Sequence, residues 1–412
     1  MASKSDRERQ VRRAAYLRGQ YNLSQSDIGR ILGGASQAHV SRLLKLAEAS
    51  GYLVTRVRFV GDGIPEAELA ELRRLHESPP LSLALEELGR REGLAVPRVS
   101  VFDSGSSADS ESAQEGRRRR FGRAAAGRLH ELLQEIDSLG LAWGSTVAGL
   151  IEGLGALRTA SATDRPLSIV PVCAELLGLA SPEYSSSRLA IRLGEIVDRE
   201  VGERFSLAGV PAYIPRGFGE AKAAVIREFV GGSASHKALF GRPGALVDGL
   251  DGLLTSIGST RRPVGGNTEE LLSAGGIDIA ELRSLVVGDI GGALIARENL
   301  APEKRRLVDE LNRMWTGIDL GHIGAIARRA ANGEGGIGCV VVAVARERAP
   351  VAFEAVRRGL VTELLIDHDL AAALERLVRR HLSGPGRRGA GEGPPGAASG
   401  GPSAVSAQTK MK

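Results

Sequence analysis

Side chains suited to reading a DNA duplex are concentrated near the N-terminus, after a predicted turn at Gly33-Gly34-Ala35. They follow one another on a helical repeat and combine hydrogen-bond donors with small residues. Such side chains fit the major groove, where donors pair with base edges and basic residues at the margins contact phosphate. The predicted set on this helix is Gln37, Ala38, His39, Ser41, Arg42 and Lys45. His39 is equally consistent with a surface residue packed beside Leu43. The pattern as a whole favours DNA binding.

Two helices must position these side chains, and the sequence contains a start signal for each. Ser24 and Asp27 form a capping-box pattern, in which a hydroxyl and a carboxylate satisfy free amides at a helix start. Ser36 is placed to cap the second helix. Apolar residues then recur at helical spacing, so that the two helices can pack on each other. These residues are Ile28, Ile31 and Leu32 in the first helix and Val40, Leu43, Leu44 and Ala47 in the second.

A basic strand is predicted to follow the two helices. Residues 52–59 alternate as strands do, with Arg56 and Arg58 on one side, which is typical of the wing of a winged helix-turn-helix. Residues 1–60 hold eleven Lys and Arg against four acids, a net charge of +7, whereas the whole chain carries +5. The basic excess is thus confined to the segment that would meet phosphate. With the helix starts included, the predicted DNA-binding set is Ser24, Gln25, Ser36, Gln37, Ala38, His39, Ser41, Arg42, Lys45, Arg56 and Arg58.

Composition limits the class of protein. The 412 residues are 42% hydrophobic, enough for two or three domains with sizeable cores. Cys173 and Cys339 are far apart and form no CxxC pair, so neither a metal site nor a disulfide framework is predicted, and no cofactor is indicated. The sequence shows no signal-peptide pattern and no apolar run long enough to span a membrane. We expect a cytoplasmic protein that does not contact membranes.

The remainder of the chain alternates short apolar runs with helical segments. This alternation predicts a parallel sheet covered by helices on both faces, a Rossmann-like α/β domain. The predicted strands are Val96–Phe102, Leu139–Trp143, Leu167–Val172, Leu246–Ile257, Leu285–Val287, Val340–Ala345 and Glu363–Ile366. We place the winged helix-turn-helix domain at 1–60, a linker at 61–80, the α/β domain at 81–383 and a disordered Gly/Pro-rich tail at 384–412. Residues 103–116 are predicted to form a mobile loop. The four arginines that follow, 117–120, could contact DNA or a phosphate but are more typical of a solvated helix start.

Three glycine-containing loops directly follow predicted strands, the position at which ligands bind in parallel sheets. Gly144-Ser145-Thr146 and Gly258-Ser259 offer amides and hydroxyls to an anion such as phosphate. Asp289 follows the next strand and offers a carboxylate to sugar hydroxyls. Each loop alone is more typical of an ordinary turn. Their occurrence in one sheet raises the expectation of a ligand site, and we expect no catalytic and no metal-binding residues in it.

Both halves together resemble the SorC family of transcriptional regulators, from about Arg7 to Leu382. The most specific matching segments are Leu23–Ile28 and Val40–Lys45 in the N-terminal half. The other matches are Leu141–Val147, Ser256–Ser259, Val287–Ile290, Arg357–Val361 and Leu365–Asp367. The resemblance implies a helix-turn-helix joined to a sugar-phosphate-binding domain related to glucosamine-phosphate deaminases and ribose-phosphate isomerases. It also implies a homodimer or homotetramer that binds palindromic operator DNA under the control of a small effector.

The segment Ala343–Arg348 departs from the family pattern. The family tends to have Ala-Gly-Gly, two residues and a ligand-binding lysine, so two glycines are missing here and Arg348 stands in the place of the lysine. The predicted effector-binding set is Gly144, Ser145, Thr146, Gly258, Ser259, Asp289 and Arg348. Two other functions stay open: a sugar-phosphate isomerase or deaminase, with Asp289 and Asp367 as acid or base, and a DNA-binding protein that has lost its ligand.

Overall fold

The computed structural model describes residues 4–21, 23–50, 52–53, 78–105, 111–157, 167–175, 184–197, 207, 209–241, 244–261 and 266–383. Outside these ranges lie the predicted wing with Arg56 and Arg58, almost all of the predicted linker, part of the predicted loop at 103–116, and the predicted tail 384–412. The chain divides into two compact units, residues 1–71 and 72–412.

The N-terminal unit contains helices α1 (Lys4–Tyr21), α2 (Gln25–Ile31) and α3 (Gln37–Ala49). These helices share a hydrophobic core of their own, which is built from Val11, Ala14, Ala15, Ile28, Val40, Leu43, Leu44, Ala47 and Leu53. The prediction for Ile31 was wrong, because this side chain is 51% exposed. In the short α2 only the side that carries Ile28 faces the core.

Capping contacts confirm both predicted helix starts. The Ser24 hydroxyl accepts a hydrogen bond from the backbone N–H of Asp27 at 3.2 Å and donates to the Asp27 carboxylate at 2.5 Å. The Ser36 hydroxyl accepts from the backbone N–H of His39 at 3.2 Å. Between the helices, Gly33 and Gly34 both have a φ of 84°, a left-handed conformation that glycine adopts without a steric penalty. The turn therefore needs the two glycines that the sequence places there.

The second unit combines an eight-stranded sheet with surrounding helices. Its strands are β1 (Arg98–Phe102), β2 (Ser138–Leu141), β3 (Ser168–Pro171), β4 (Gly252–Ser259), β5 (Val286–Ile290), β6 (Ala293–Ala296), β7 (Gly338–Ala343) and β8 (Glu363–Asp367). Six strands form a parallel sheet in the order β1-β8-β7-β4-β2-β3. β5 pairs antiparallel with the last residues of β4, and β6 pairs antiparallel with β5.

Helices cover the parallel strands on both faces. They are α4 (Pro79–Glu92), α5 (Glu111–Gln134), α6 (Ser145–Ala156), α7 (Ser186–Ile196), α8 (Gly219–Gly232), α9 (Ala234–Phe240), α10 (Gly266–Gly275), α11 (Ile279–Leu285), α12 (Pro302–Met314), α13 (Leu320–Ala331), α14 (Ala349–Arg357) and α15 (His368–Ser383). One hydrophobic cluster includes α5, α6 and α7, and a second includes α4 and α11–α15. Alternate strand residues enter the two clusters, so the predicted α/β architecture is confirmed. No helix among the described residues is long and apolar enough to cross a bilayer.

Two sequence predictions for this unit need correction. The strand predicted from Leu246 starts only at Gly252, because Leu246–Gly249 forms a turn of 3-10 helix. The prediction that Arg117 is exposed to solvent was wrong, because this residue is only 6% exposed. Its helix, α5, already begins at Glu111, and within it Arg117 and Phe121 are one turn apart on the inward face. The antiparallel strand β6 was not predicted, because four residues give too short a pattern.

Candidate functional site

The predicted DNA-contacting residues of α3 lie away from the core of the N-terminal unit. Four of these side chains are exposed and two are half-buried: Gln37, Ala38, Arg42 and Lys45, then His39 and Ser41. At the helix starts Ser24 and Ser36 are exposed and Gln25 is half-buried. The Arg42 guanidinium donates to the carbonyl of Ala38 at 3.3 Å, one turn earlier on the same face. This face therefore presents a continuous row of polar and small side chains.

Gly29 sets the position of α3 relative to α2, a role that the sequence analysis missed. The carbonyl of Gly29 accepts hydrogen bonds from the N–H groups of Gly34 and Ala35, at 3.0 and 2.9 Å. A Cβ atom at Gly29 would lie 2.3 Å from the carbonyl oxygen of Ala35, much closer than real Cβ contacts. The turn can approach α2 this closely only because residue 29 has no side chain.

In the second unit, the predicted effector-binding residues converge at the carboxyl end of β4. We call this region the strand-edge site and define it by Arg118, Gly144, Ser145, Thr146, Ser256, Gly258, Asp289 and Arg348. Gly258 pairs with Asp289 across β4 and β5, and the Asp289 carboxylate lies directly over it. The Ser256 hydroxyl donates to the carbonyl of Trp143 at 3.2 Å, which joins β4 to the loop before α6.

The loop before α6 ends in a helix N-terminus that is open to an anion. Gly144 precedes the first residue of α6 with a φ of 138°, and a Cβ there would meet the Ser256 hydroxyl at 2.5 Å. Only glycine fits both the conformation and the space. The amides of the first turn, with the half-buried Ser145 and the buried Thr146, then begin a helix of twelve residues. Free amides and the helix dipole at such a start favour negative charge.

Two arginines from different elements lie near the carboxyl end of β4. Arg348 donates to the carbonyls of Ile257 and Val344, at 3.0 and 2.7 Å, and so spans the ends of β4 and β7. Burial lowers the pKa of Arg348, and the positive charge of Arg118 lowers it further. Arg118 is half-buried on α5, and its carbonyl lies against Gly149 of α6. Across the described ranges, neither guanidinium forms an ion pair with a carboxylate, whereas the more distant carboxylates of Glu347, Asp367 and Asp289 favour the charged form of Arg348.

Ser259 differs from the other predicted effector contacts. Ser256 and Gly258 are half-exposed on one face of β4, whereas Ser259 points to the other face and is 7% exposed. The Ser259 hydroxyl donates to the carbonyl of Glu347 at 3.1 Å and accepts from the N–H of Arg261. This hydroxyl fixes the loop that carries Arg348 rather than facing the strand-edge site.

Asp367, a candidate acid or base in the enzyme alternative, is a fully buried helix cap. Its Oδ2 accepts from Arg117 at 2.6 and 2.8 Å and from Ser104 at 2.8 Å. Its Oδ1 accepts from the N–H groups of Leu370 and Ala345, both at 3.1 Å, and so caps the start of α15. Burial disfavours the charge of Arg117, but the carboxylates of Asp367 and Asp369 raise its pKa overall. The Asp367 carboxylate is therefore committed to holding three segments together.

Ala345 shows the consequence of the missing glycines. It has a φ of 80° and a ψ of 137°, a region that essentially only glycine occupies without strain. The conformation is held by the bond from its N–H to Asp367 and places Arg348 one turn further on. Strain of this kind persists only where neighbouring contacts over-determine it.

The two tryptophans of the chain lie beside the strand-edge site. Trp143 directly precedes Gly144, and its ring stacks on Trp315 with centroids 6.0 Å apart and an interplanar angle of 21°. Tyr213 packs on the ring of Trp315, with the ring centroids 5.1 Å apart.

The two cysteines of the chain, Cys173 and Cys339, are buried. Burial raises the pKa of both thiols, so neither is a reactive thiolate. Among the residues described, no group of three or more His, Cys, Asp or Glu side chains could hold a metal.

Comparison with known proteins supports the fold. No protein-family model and no curated protein matches the chain. Among solved structures, the full-length sorbitol operon regulator SorC from Klebsiella pneumoniae aligns with 90% of this chain and 100% of its own, at 19% identity and a TM-score of 0.51. The fold is that of SorC. A transcriptional regulator from Streptococcus pneumoniae TIGR4 aligns with 71% of this chain and 95% of its own, at 14% identity and a TM-score of 0.50.

The resemblance to SorC regulators is thus confirmed at the level of the fold. Within that fold, six of the seven residues predicted to bind the effector lie at the strand-edge site, and Ser259 does not. Arg118 and Ser256 were not among the predicted effector contacts. Arg118 belongs to a run of four arginines. Only their positions around the helix separate those that face inward from those that face solvent. Ser256 lies within a strand, two residues before Gly258, and the alternation of side chains along β4 was the available signal.

Proposed function

We propose that the chain is a DNA-binding transcriptional regulator controlled by a small anionic metabolite, a phosphorylated sugar or polyol. The metabolite would bind at the strand-edge site and alter the affinity of the N-terminal unit for operator DNA. The full-length structural neighbour is named a sorbitol operon regulator, which supports a regulator of carbohydrate metabolism. We further propose that it acts as a homodimer or homotetramer in the cytoplasm, because one recognition helix reads too few base pairs for a specific site.

The observation that carries the proposal is the pair of arginines, Arg118 and Arg348, near the carboxyl end of β4, where the loop before α6 also ends. The positive charge of Arg118 disfavours the charged form of Arg348, and neither guanidinium forms an ion pair with a carboxylate in the described part of the chain. A phosphate would offset the repulsion between the arginines and accept hydrogen bonds from the free amides of α6. Asp289, at the neighbouring strand end, would accept hydrogen bonds from sugar hydroxyls. Its Oδ1 already accepts from the N–H of Gly292 at 3.1 Å, which fixes its orientation.

The arrangement of carboxylates supports a regulator rather than an isomerase or deaminase. Such enzymes need a base and an acid that can exchange protons with the substrate. Asp367 is 0% exposed, and both of its oxygens accept hydrogen bonds from protein groups. Asp289 supports the turn at Gly292, and without Asp367 it lacks the second member of the candidate acid and base pair. Turnover of a sugar phosphate by the purified protein would contradict this part of the proposal.

The effector half is tested by thermal shift of the full chain against phosphorylated sugars, polyol phosphates and their unphosphorylated parents. A ligand at one hundred times its dissociation constant stabilises the folded state by about 2.7 kcal/mol, a readily measured shift. Quenching of the Trp143–Trp315 pair gives an independent signal from the site. We expect phosphorylated compounds alone to bind, and Arg118→Ala to weaken that binding at least about tenfold, as loss of a charge-assisted contact does.

Arg119→Ala is the matched control. Arg119 is the next residue of α5, but it is 57% exposed and pairs with Glu115 on the helix surface. This variant should bind the effector as the unaltered chain does. Equal losses in the two variants, or binding of the unphosphorylated parents alone, would contradict the assignment of a phosphate to Arg118 and Arg348.

The DNA half is tested on a duplex selected by the protein from random sequences. Arg42→Ala should weaken binding by about 1–3 kcal/mol if the guanidinium contacts a base. Arg42 is exposed, so the variant should fold normally. Arg90→Ala, an exposed arginine of the second unit paired with Glu87, controls for nonspecific loss of charge. An unchanged affinity in Arg42→Ala would remove this residue from the recognition set.

A further inference from the structure

Helix α8 in the second unit is poorly covered by its own chain. Of its fourteen residues, only Ala223 and Val230 are buried. Val225 and Phe229 are 65% and 81% exposed, and Phe218, directly before the helix, is 47% exposed. Isolated helices of this length are marginal in water and gain most of their stability by packing an apolar face. We therefore expect the exposed apolar residues of α8 to pack against a partner.

Three exposed residues within α8 form one stripe. Ala221, Val225 and Phe229 follow one another at intervals of four. This spacing places them on a single helix face. The two buried residues, Ala223 and Val230, lie on the opposite side of α8 and pack on the domain. The helix thus has two apolar faces, one used within the chain and one directed outward, which we call the α8 stripe.

We infer that the α8 stripe is an interface between two copies of this chain, packed antiparallel about a twofold axis at Val225. The order of side-chain sizes carries this inference. An antiparallel pairing centred on Val225 brings Phe229 of one copy level with Ala221 of the other. Each Phe229 ring then has the small Ala221 beside it, the alternation that lets facing helices approach closely.

The parallel pairing lacks this complementarity. Identical residues would then be level, which places Phe229 against Phe229 and leaves a gap where Ala221 faces Ala221. The flanking charges favour the same choice. Lys222 and Glu228 are exposed and lie three residues either side of Val225, so the antiparallel pair puts opposite charges at the same height. The parallel pair would put Lys222 level with Lys222, and like charges repel.

Self-complementarity about a single point is what a twofold contact requires, because each residue must fit its symmetry mate. An unrelated partner would need only one side of the match, and nothing would then relate Phe229 to Ala221 or Lys222 to Glu228. The inference depends on α8 alone and requires neither bound DNA nor an effector. It locates one contact between the copies that the proposed function assumes, so its failure would leave the proposed binding of DNA and effector intact.

Disulfide trapping of the full chain tests the interface. The native Cys173 and Cys339 are buried and do not compete. In a Val225→Cys variant the two thiols would lie on the twofold axis, within the short Cβ separation that a disulfide needs. We expect mild oxidation to give a covalent dimer, whereas Ala224→Cys, exposed on the flank of α8, should crosslink at least about tenfold more slowly because its Cβ atoms lie too far apart. Equal or absent trapping in the two variants would overturn the inference.

The orientation is tested by mixing two differently tagged variants, Ala221→Cys and Phe229→Cys. Antiparallel packing predicts mixed disulfides between the two proteins, and parallel packing predicts like-with-like products. Sedimentation equilibrium gives a second readout, in which Phe229→Lys should raise the dissociation constant of self-association at least about tenfold. Glu220→Lys, exposed on α8 outside the stripe, is its control. Like-with-like disulfides, or equal dissociation constants for the two lysine variants, would contradict the interface.

Discussion

The two candidate surfaces of this protein are held by contacts of very different sequence range. In the N-terminal unit, the cap that starts α3 joins Ser36 to His39, only three positions away. At the strand-edge site, the bonds that fix the loops join Arg117 to Asp367, which are 250 positions apart, and Arg348 to Ile257, 91 positions apart. The first surface is set by local chemistry, whereas the second exists only once the sheet has assembled.

This difference predicts how each surface tolerates change. A local turn is disturbed by a steric clash or by the loss of a cap, and we expect the disturbance to be confined to the three helices of the N-terminal unit. A network of buried charges fails through desolvation, because removal of one partner leaves the other charge buried without compensation. Substitutions at each surface can therefore test whether the two surfaces respond in these different ways.

The largest effect is expected for Arg117→Ala. The Arg117 side chain is 7% exposed and donates to Asp367, which is 0% exposed, and to Asp369. The variant leaves the Asp367 carboxylate buried without its main counter-charge, so the free energy of unfolding of the second unit should fall by about 3–5 kcal/mol. Urea denaturation followed by tryptophan fluorescence measures this, because Trp143 and Trp315 both belong to that unit.

Arg117→Lys and Arg119→Ala are the two comparison variants for that measurement. The lysine keeps the charge but loses the two-pronged contact, so we expect an intermediate loss. Arg119 forms an exposed pair one turn along α5, and its removal should cost less than about 0.5 kcal/mol. Similar losses for Arg117→Ala and Arg119→Ala would show that the buried network does not hold the strand-edge site.

Gly29→Ala should produce the opposite pattern. The added Cβ would lie 2.3 Å from the Ala35 carbonyl oxygen, so the turn must move and α3 with it. We expect a cost of about 1–3 kcal/mol, as for other overpacked sites, and loss of DNA binding measured by fluorescence anisotropy. Effector binding by the second unit should stay unchanged. Gly127→Ala is the control, because a Cβ there meets nothing within 4 Å.

The same contrast explains what could be predicted from sequence. Two helix caps and one turn in the N-terminal unit depend only on neighbours within a few residues: the caps at Ser24 and Ser36 and the turn at Gly33-Gly34. The local sequence pattern was therefore sufficient to predict them. The parallel strands were also predictable, because burial on both faces makes them continuous apolar runs. Arg117 was misjudged because its partner Asp367 is distant in sequence, and no local pattern distinguishes a paired buried arginine from a solvated one.

Ala345→Gly should have a smaller and favourable effect. The residue holds a φ of 80° and a ψ of 137°, which costs a residue with a Cβ about 1–3 kcal/mol. Glycine removes that strain but gains freedom in the unfolded chain, so we expect a net stabilisation of about 1 kcal/mol. Urea denaturation measures it, with Ala352→Gly in the buried part of α14 as a destabilising control. No gain in stability would mean that the bond to Asp367 does not hold Ala345 under strain.

The smallest effect is a pH dependence at the start of α13. Asp319 caps this helix through the N–H of His322, at 2.8 Å, and a side-chain hydrogen bond from His322 holds the pKa of the carboxyl below its usual range. A carboxylate whose pKa is lower in the folded state adds stability above its unfolded pKa of about 3.9. That stability is lost as the pH falls through the lower, folded pKa.

Asp319→Asn isolates this contribution, because the amide oxygen can still accept the capping hydrogen bond but carries no charge. We expect the free energy of unfolding to fall less steeply in the variant than in the unaltered chain between pH 5 and pH 2. At neutral pH the variant should be the less stable of the two. The cap joins residues only three positions apart, yet it lies in the second unit. Parallel pH profiles for the variant and the unaltered chain would show that this local charge contributes little to stability. The electrostatic stability of the sheet would then come from the distant pairs alone.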